Sequence, residues 1–227
     1  MPDPPAHFTQ DTGVCQVRCC SSDKRDDECM VDQARVLRSY FDGVDAVVAA
    51  AAEIHDWSAP TPCAAWSAKE LAGHVLAVTG YFNGLLDAAE SGDPRRDLVR
   101  GNGLEAMNAR DLAALPDAGG AERVAEFAKS ARRYGSRLAT VDWLMVLGYW
   151  ADLGPLTVAE HTGLAVGEWH IHAWDLWQSM GREYRPADPA VGAEARAALP
   201  GSFPGGDPWD ATLAWSGRGI RPGRVQP

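Results

Sequence analysis

The stretch from Thr157 to Met180 constrains the fold most, because it can only be a helix and that helix can hardly face water. Thr157 followed three residues later by Glu160 writes a capping box at its start, and Gly181 supplies the left-handed stop at its end. Leu164, Ala165, Ile171 and Leu176 lie on one side, while Trp169, Trp174 and Trp177 cover much of the remaining circumference. A helix apolar all round is buried, so any charge it carries needs a partner inside the protein.

Glu168 and His172 are such charges. At 100° per residue they sit one turn apart on one face, so a carboxylate and an imidazole can reach a common point beside the helix. That spacing suits a divalent ion such as Zn²⁺, and it equally describes an ordinary intrahelical pair. Two ligands do not complete a site. Asp175 follows on nearly the same face, where it could orient His172 by accepting a hydrogen bond or could serve as a salt-bridge partner. His161 lies two turns before Glu168 and His170 points to the other side, so both are expected to be non-ligands.

The rest of the chain supplies more helices. Val36, Leu37, Tyr40, Phe41, Val44, Val47 and Val48 repeat at helical spacing between Asp32 and about Ile54. Prolines at 60 and 62 interrupt the chain before Ser67 and Glu70 form a second capping box, which opens a helix running to about Glu90. His74 shares that helix's apolar face with Leu71, Val75 and Val78. A lone core histidine is commonly satisfied by a backbone carbonyl, yet His74 is also the natural third ligand. Residues 91–120 are punctuated by glycine and proline, with at most a short helix from Leu104 to Leu115, and suit a lid or rim. A third long helix spans about Ala121 to Thr140, followed by a buried connector, Trp143-Leu144-Met145-Val146-Leu147, broken at Gly154-Pro155. Short helices near Pro189–Leu199 and Asp207–Trp215 precede a tail from Gly217.

This pattern predicts an all-α protein, a four-helix bundle over residues 30–183 with a short helical appendage at 184–227. Residues 1–29 differ in composition, hold Cys15, Cys19, Cys20 and Cys29 in no paired zinc-binding spacing, and suggest a disordered extension or a start displaced from Met30. The net charge of −10 with no basic cluster argues against nucleic acid and anionic membranes, and no apolar run reaches the length of a membrane span. A cytoplasmic protein acting on a small molecule is expected. Monomer and homodimer are equally compatible with the sequence.

Pro60-Thr61-Pro62-Cys63-x-x-Trp66-Ser67-x-x-Glu70-Leu71-x-x-His74, followed downstream by Glu168-x-x-x-His172-x-Trp174-Asp175-Leu176 and Gly181, resembles the mycothiol-dependent maleylpyruvate isomerase family of the DinB/YfiT-like superfamily. The resemblance covers about residues 30–218. It implies a DinB-like four-helix bundle in which His74, Glu168 and His172 bind a divalent metal, usually zinc, and a thiol cosubstrate, mycothiol. Such a thiol, held ionised, would add to a cis-enoyl substrate, allow bond rotation and leave again, giving the trans isomer without change of oxidation state. The resemblance thus implies a thiol-dependent isomerase or S-transferase for small electrophiles. The alternative is a non-catalytic metal-binding or interaction protein of the same fold. Full-length isomerases carry a second domain, and the residues after Gly181 are too few to supply one. Arg218, Arg221 and Arg224 could meet substrate carboxylates, although an Arg- and Gly-rich tail is expected there. Cys63 is either a second thiol near the site or a small buried residue beside a proline turn.

Overall fold

The computed structural model describes residues 32–63, 66–98, 103–151, 153–198 and 203–218. The expected N-terminal extension with its four cysteines, and Arg221 and Arg224, lie outside the described residues.

Four long helices form where the periodicity places them. The Asp32 carboxylate accepts the Arg35 backbone N–H at 2.8 Å and caps α1, Gln33–Glu53. The Ser67–Glu70 capping box opens α2, Ala68–Glu90. After the short α3, Gly103–Ala113, comes α4, Gly120–Leu138. The Thr157–Glu160 capping box opens α5, Val158–Ser179. The α1 helix packs on α4 and α5, and α2 packs on the same two, which closes a four-membered ring. The fold is the all-α, DinB-like bundle.

Trp169 of α5 fills the centre of that ring and is fully buried. Its indole meets one aromatic residue from each of the other long helices. Ring centroids lie 6.2 Å from Tyr40 on α1, 5.5 Å from Phe82 on α2 and 5.1 Å from Phe127 on α4. The all-round apolar character of α5 therefore has a structural reason, since this helix touches three others and the appendage besides.

The segment after α4 departs from expectation. Instead of a buried connector, β1 (Val146–Trp150) pairs antiparallel with β2 (Gly154–Thr157). Leu144 points outward at 79% exposure, while Trp143 and Leu147 point inward. Val146-Leu147-Gly148-Tyr149-Trp150 is rich in β-branched and aromatic residues, and Gly154 turns the chain with φ of 83°. The loop after α2 docks on the free edge of β1, where the Tyr149 N–H donates to the Arg95 carbonyl at 2.8 Å. Strand, loop and α3 together make the rim that a glycine-punctuated segment alone was expected to form.

Two short helices complete the described chain, α6 (Ala190–Ala197) and α7 (Pro208–Trp215). The α6 helix lies along α5, and α7 packs on α6. Small residues make this approach possible: a Cβ added at Gly163 would sit 2.6 Å from the Ala195 Cβ, and one added at Gly192 would sit 3.2 Å from the Gly167 Cα. Among the described residues, no helix is long and apolar enough to cross a membrane.

Candidate metal centre

His74 enters the site because the Ser67 cap fixes where α2 begins, and the residue falls two turns into that helix on its buried face. Trp66, just outside the cap, lays its ring against the imidazole with centroids 4.5 Å apart. Glu168 and His172 come from the middle of α5, one turn apart. The three side chains meet. The Nε2 atoms of His74 and His172 approach the same oxygen, Glu168 Oε1, at 3.2 and 3.1 Å. One ligand atom from each residue lies within 4.8 Å of the other two. Ligands about 2.0 Å from a single tetrahedral ion are separated by about 3.3 Å. Two imidazole nitrogens and one carboxylate oxygen, so spaced, fit a divalent metal of borderline hardness.

Asp175, fully buried, accepts from His172 Nδ1 at 3.0 Å. Its carboxylate is gripped in turn by Arg218, with Nε at 3.0 Å from Oδ1 and Nη2 at 2.6 Å from Oδ2. Arg218 was expected in a tail. It instead follows a Schellman turn, in which Gly217 takes φ of 76° and the Arg218 N–H returns to the Leu213 carbonyl at 2.8 Å. That turn aims the guanidinium into the protein. The Ser-Gly-Arg ending after a helical pattern was a readable signal for it.

The charges explain the protonation states. Burial pushes the Glu168 carboxyl upward, but the charge and hydrogen bond of His172, with those of His74, hold it well below the usual range. Burial pulls His172 down, and Glu168 and Asp175 more than reverse this, raising it to about 9. His74 is lowered, chiefly by burial. Asp175 is opposed by burial yet lowered by its bonds to His172 and Arg218. A proton on His172 then lies between the two carboxylates, Glu168 and Asp175.

The trio forms one wall of a cavity of about 700 Å³. Trp150 and Leu156 of the hairpin, Met107 of α3, and Phe82 and Leu85 of α2 line the rest. His161 also borders it. Its Nδ1 lies 2.9 Å from the Tyr134 hydroxyl, and burial lowers its pKa to about 4. His170 sits elsewhere, held between Ser39 and the Tyr184 hydroxyl, which is 2.6 Å from its Nδ1. Neither joins the trio. Cys63 is half-buried at the cavity wall rather than enclosed, and burial raises its thiol to about 11, so it is uncharged at neutral pH.

Arg196 escaped the sequence reading. It stands in the Ala-rich α6, which carries no motif, and only the small-residue contact of α5 with α6 brings it over Glu168, with Nη2 3.7 Å from Oε2. Gly163-x-x-x-Gly167 facing Gly192-x-x-Ala195 was the available clue.

Fold and site together define a helical-bundle protein with a convergent His₂Glu cluster at the foot of an apolar cavity. The family model for the mycothiol maleylpyruvate isomerase N-terminal domain matches residues 37–177, and the chain belongs to that family. Among solved structures, it is similar to the one described as "Crystal structure of the mycothiol-dependent maleylpyruvate isomerase", with a TM-score of 0.58 and 16% identity over 74% of this chain and 69% of that one. At that identity the likeness speaks for the fold. No curated protein sequence matches the chain.

Proposed function

We propose that this chain holds a divalent metal, Zn²⁺ in the first instance, on His74, Glu168 and His172, and acts with mycothiol as an isomerase or S-transferase on small electrophiles. The observation that carries the reading is the convergence of both Nε2 atoms on Glu168 Oε1 at the foot of a cavity. Three protein ligands are the number found in catalytic rather than structural zinc sites. Such an ion, when bound, supplies the Lewis acidity that keeps a thiol ionised at neutral pH.

The protein's own part is positioning. Asp175 accepts a hydrogen bond from His172 Nδ1–H and so leaves Nε2 free to face the ion, while Arg218 keeps Asp175 charged and in place. Trp66 fixes the plane of His74. Phe82, Leu85 and Leu164 keep the space above the trio apolar, which strengthens every charge interaction inside it.

Elemental analysis of the purified protein tests the first half: about one equivalent of metal is expected, lost in both His74→Ala and His172→Ala. Titration of the loaded protein with mycothiol, followed by a panel of cis-enoyl acids that includes monocarboxylic members as well as the dicarboxylic maleylpyruvate, tests the second. Metal without thiol binding or product would support a binding protein of the same fold, and no metal would overturn both readings.

A further inference from the structure

Arg196 carries a charge that the described structure matches only with a long ion pair to Glu168, 3.7 Å from Nη2 to Oε2. Its side chain is 13% exposed, and its guanidinium is stacked 4.5 Å above the Trp215 ring at the cavity wall. Buried Nε has no hydrogen-bond partner among the described residues. The one carboxylate in reach, Glu168 Oε2, is 3.7 Å from Nη2, beyond hydrogen-bonding distance, and Glu168 already serves two imidazoles through its other oxygen. Arginine cannot shed its proton to escape burial, and although Nε is covered against Gly167 of α5, the paired Nη groups can still take an anion, for which a planar carboxylate is the best match. Arg218, the other guanidinium on the cavity, is not free in this way, because both oxygens of Asp175 and the Ser216 carbonyl occupy it.

The remaining wall restricts the ligand further. Val78, Phe82, Leu85, Leu156, Leu164 and Ile171 offer no hydrogen bond to a polar group, and His161 is held neutral in the metal-free protein by burial beside the Tyr134 hydroxyl. A second carboxylate on the ligand would meet no further free cation among the described lining residues, only neutral groups such as Tyr81, Asn108 and Ser216, and would bind more weakly than an apolar body.

We infer that Arg196 is the specificity residue for the electrophile, binding a single carboxylate beside the metal trio while an apolar body fills the rest of the cavity. The substrate class is then a monocarboxylic electrophile with a hydrocarbon chain or ring. Calling the ligand an electrophile rests on the function proposed above; the carboxylate site itself does not.

Binding of unreactive probes tests this directly, followed by the fluorescence of Trp66, Trp150 and Trp215 at the cavity. Octanoate is expected to bind the full-length protein at least about tenfold more tightly than octanamide or octanedioate, the margin of one charge-assisted bidentate contact. Arg196→Met should abolish the preference for octanoate over octanamide, and Arg196→Lys should retain part of it, both with unchanged metal content. The preference should persist in His74→Ala, which separates this site from carboxylate ligation to a metal. Wild-type protein that fails to bind metal would sink the proposed function yet leave the octanoate comparison intact. Equal affinity for octanoate and octanamide overturns the inference, as does a preference that survives Arg196→Met or vanishes in His74→Ala. A preference for N-acetylcysteine over its amide, with none for octanoate, would assign the carboxylate to the thiol and overturn it too.

Discussion

The ion pair inside the metal-free trio makes stability depend on pH in a way that zinc should remove. His172 is raised from 6.5 to about 9 in the folded protein, so the folded state binds the extra proton between those values and the unfolded chain does not. The stabilisation is complete below pH 6.5 and is lost as pH climbs through 9. At about 1.4 kcal/mol per pH unit over about 2.5 units, roughly 3 kcal/mol disappears. Glu168 adds no slope in this window, because its depressed pKa stabilises the fold everywhere above the carboxylate range and describes the same pair from the other side. His161 and His170, both lowered to about 4, act in the opposite direction: they cost stability as pH falls below 6.5. Stability in EDTA should therefore peak near pH 6.5. On the alkaline side the melting temperature should drop by about 6–12 °C, taking roughly 2–4 °C per kcal/mol for a chain of this size. Zinc needs the unprotonated Nε2, so the zinc-loaded protein should lose the alkaline slope, and metal affinity should rise with pH up to about 9. Thermal melts at half-unit steps from pH 5 to 9.5, with EDTA and with excess zinc, give both curves. A melting temperature flat between pH 6.5 and 9 in EDTA, or a slope that persists in His172→Gln, would refute the assignment of the proton to His172.

Asp175→Asn should strand the Arg218 guanidinium and release His172, costing about 3–5 kcal/mol in urea denaturation and about 10–100-fold in zinc affinity by competition with a chelator. Trp169→Ala empties the meeting point of the four long helices and should cost about 3–5 kcal/mol with the secondary structure retained by circular dichroism. Gly163→Val forces α6 off α5, so about 1–3 kcal/mol of overpacking strain should come with faster amide exchange in α6 and α7 and little change in α1, α2 or α4.

Helices with both ends written into them were legible. Ser67 with Glu70 and Thr157 with Glu160 fix the phase of α2 and α5, and that phase aims His74, Glu168 and His172 at one another. Local capping rules thus carried most of the information about a contact 94 residues apart in the chain. What stayed hidden was set by tertiary contacts. Val146–Trp150 reads as a short apolar run, and periodicity cannot tell a buried connector from a strand whose partner lies beyond a three-residue turn. Arg196 and Arg218 stand in segments whose polar and small residues resemble any surface loop or short helix. Only the close passage of α6 over Gly163 and Gly167, and the left-handed Gly217, direct them inward.

The same two arginines explain why the appendage is more than a cover. With a divalent ion on the trio, Glu168 and Asp175 contribute two negative charges and Arg196, Arg218 and the metal contribute four positive ones, so the site carries a surplus of two. Glu168 is the one carboxylate among the described lining residues, so the wall offers no further counter-charge for that surplus, and water alone compensates it weakly once the space is filled. One ionised thiol at the metal and one carboxylate at Arg196 bring the total to zero. Each anion removes part of the positive charge that attracts the other, and the two repel at a few ångströms, so thiol and electrophile should bind anticooperatively. In zinc-loaded protein, octanoate should weaken mycothiol binding several-fold, and mycothiol should weaken octanoate by the same factor, since the coupling is reciprocal. Arg196→Met leaves a surplus of one, and the coupling should vanish there. Independent binding of the two ligands to the wild-type protein would mean that this charge count does not govern the site.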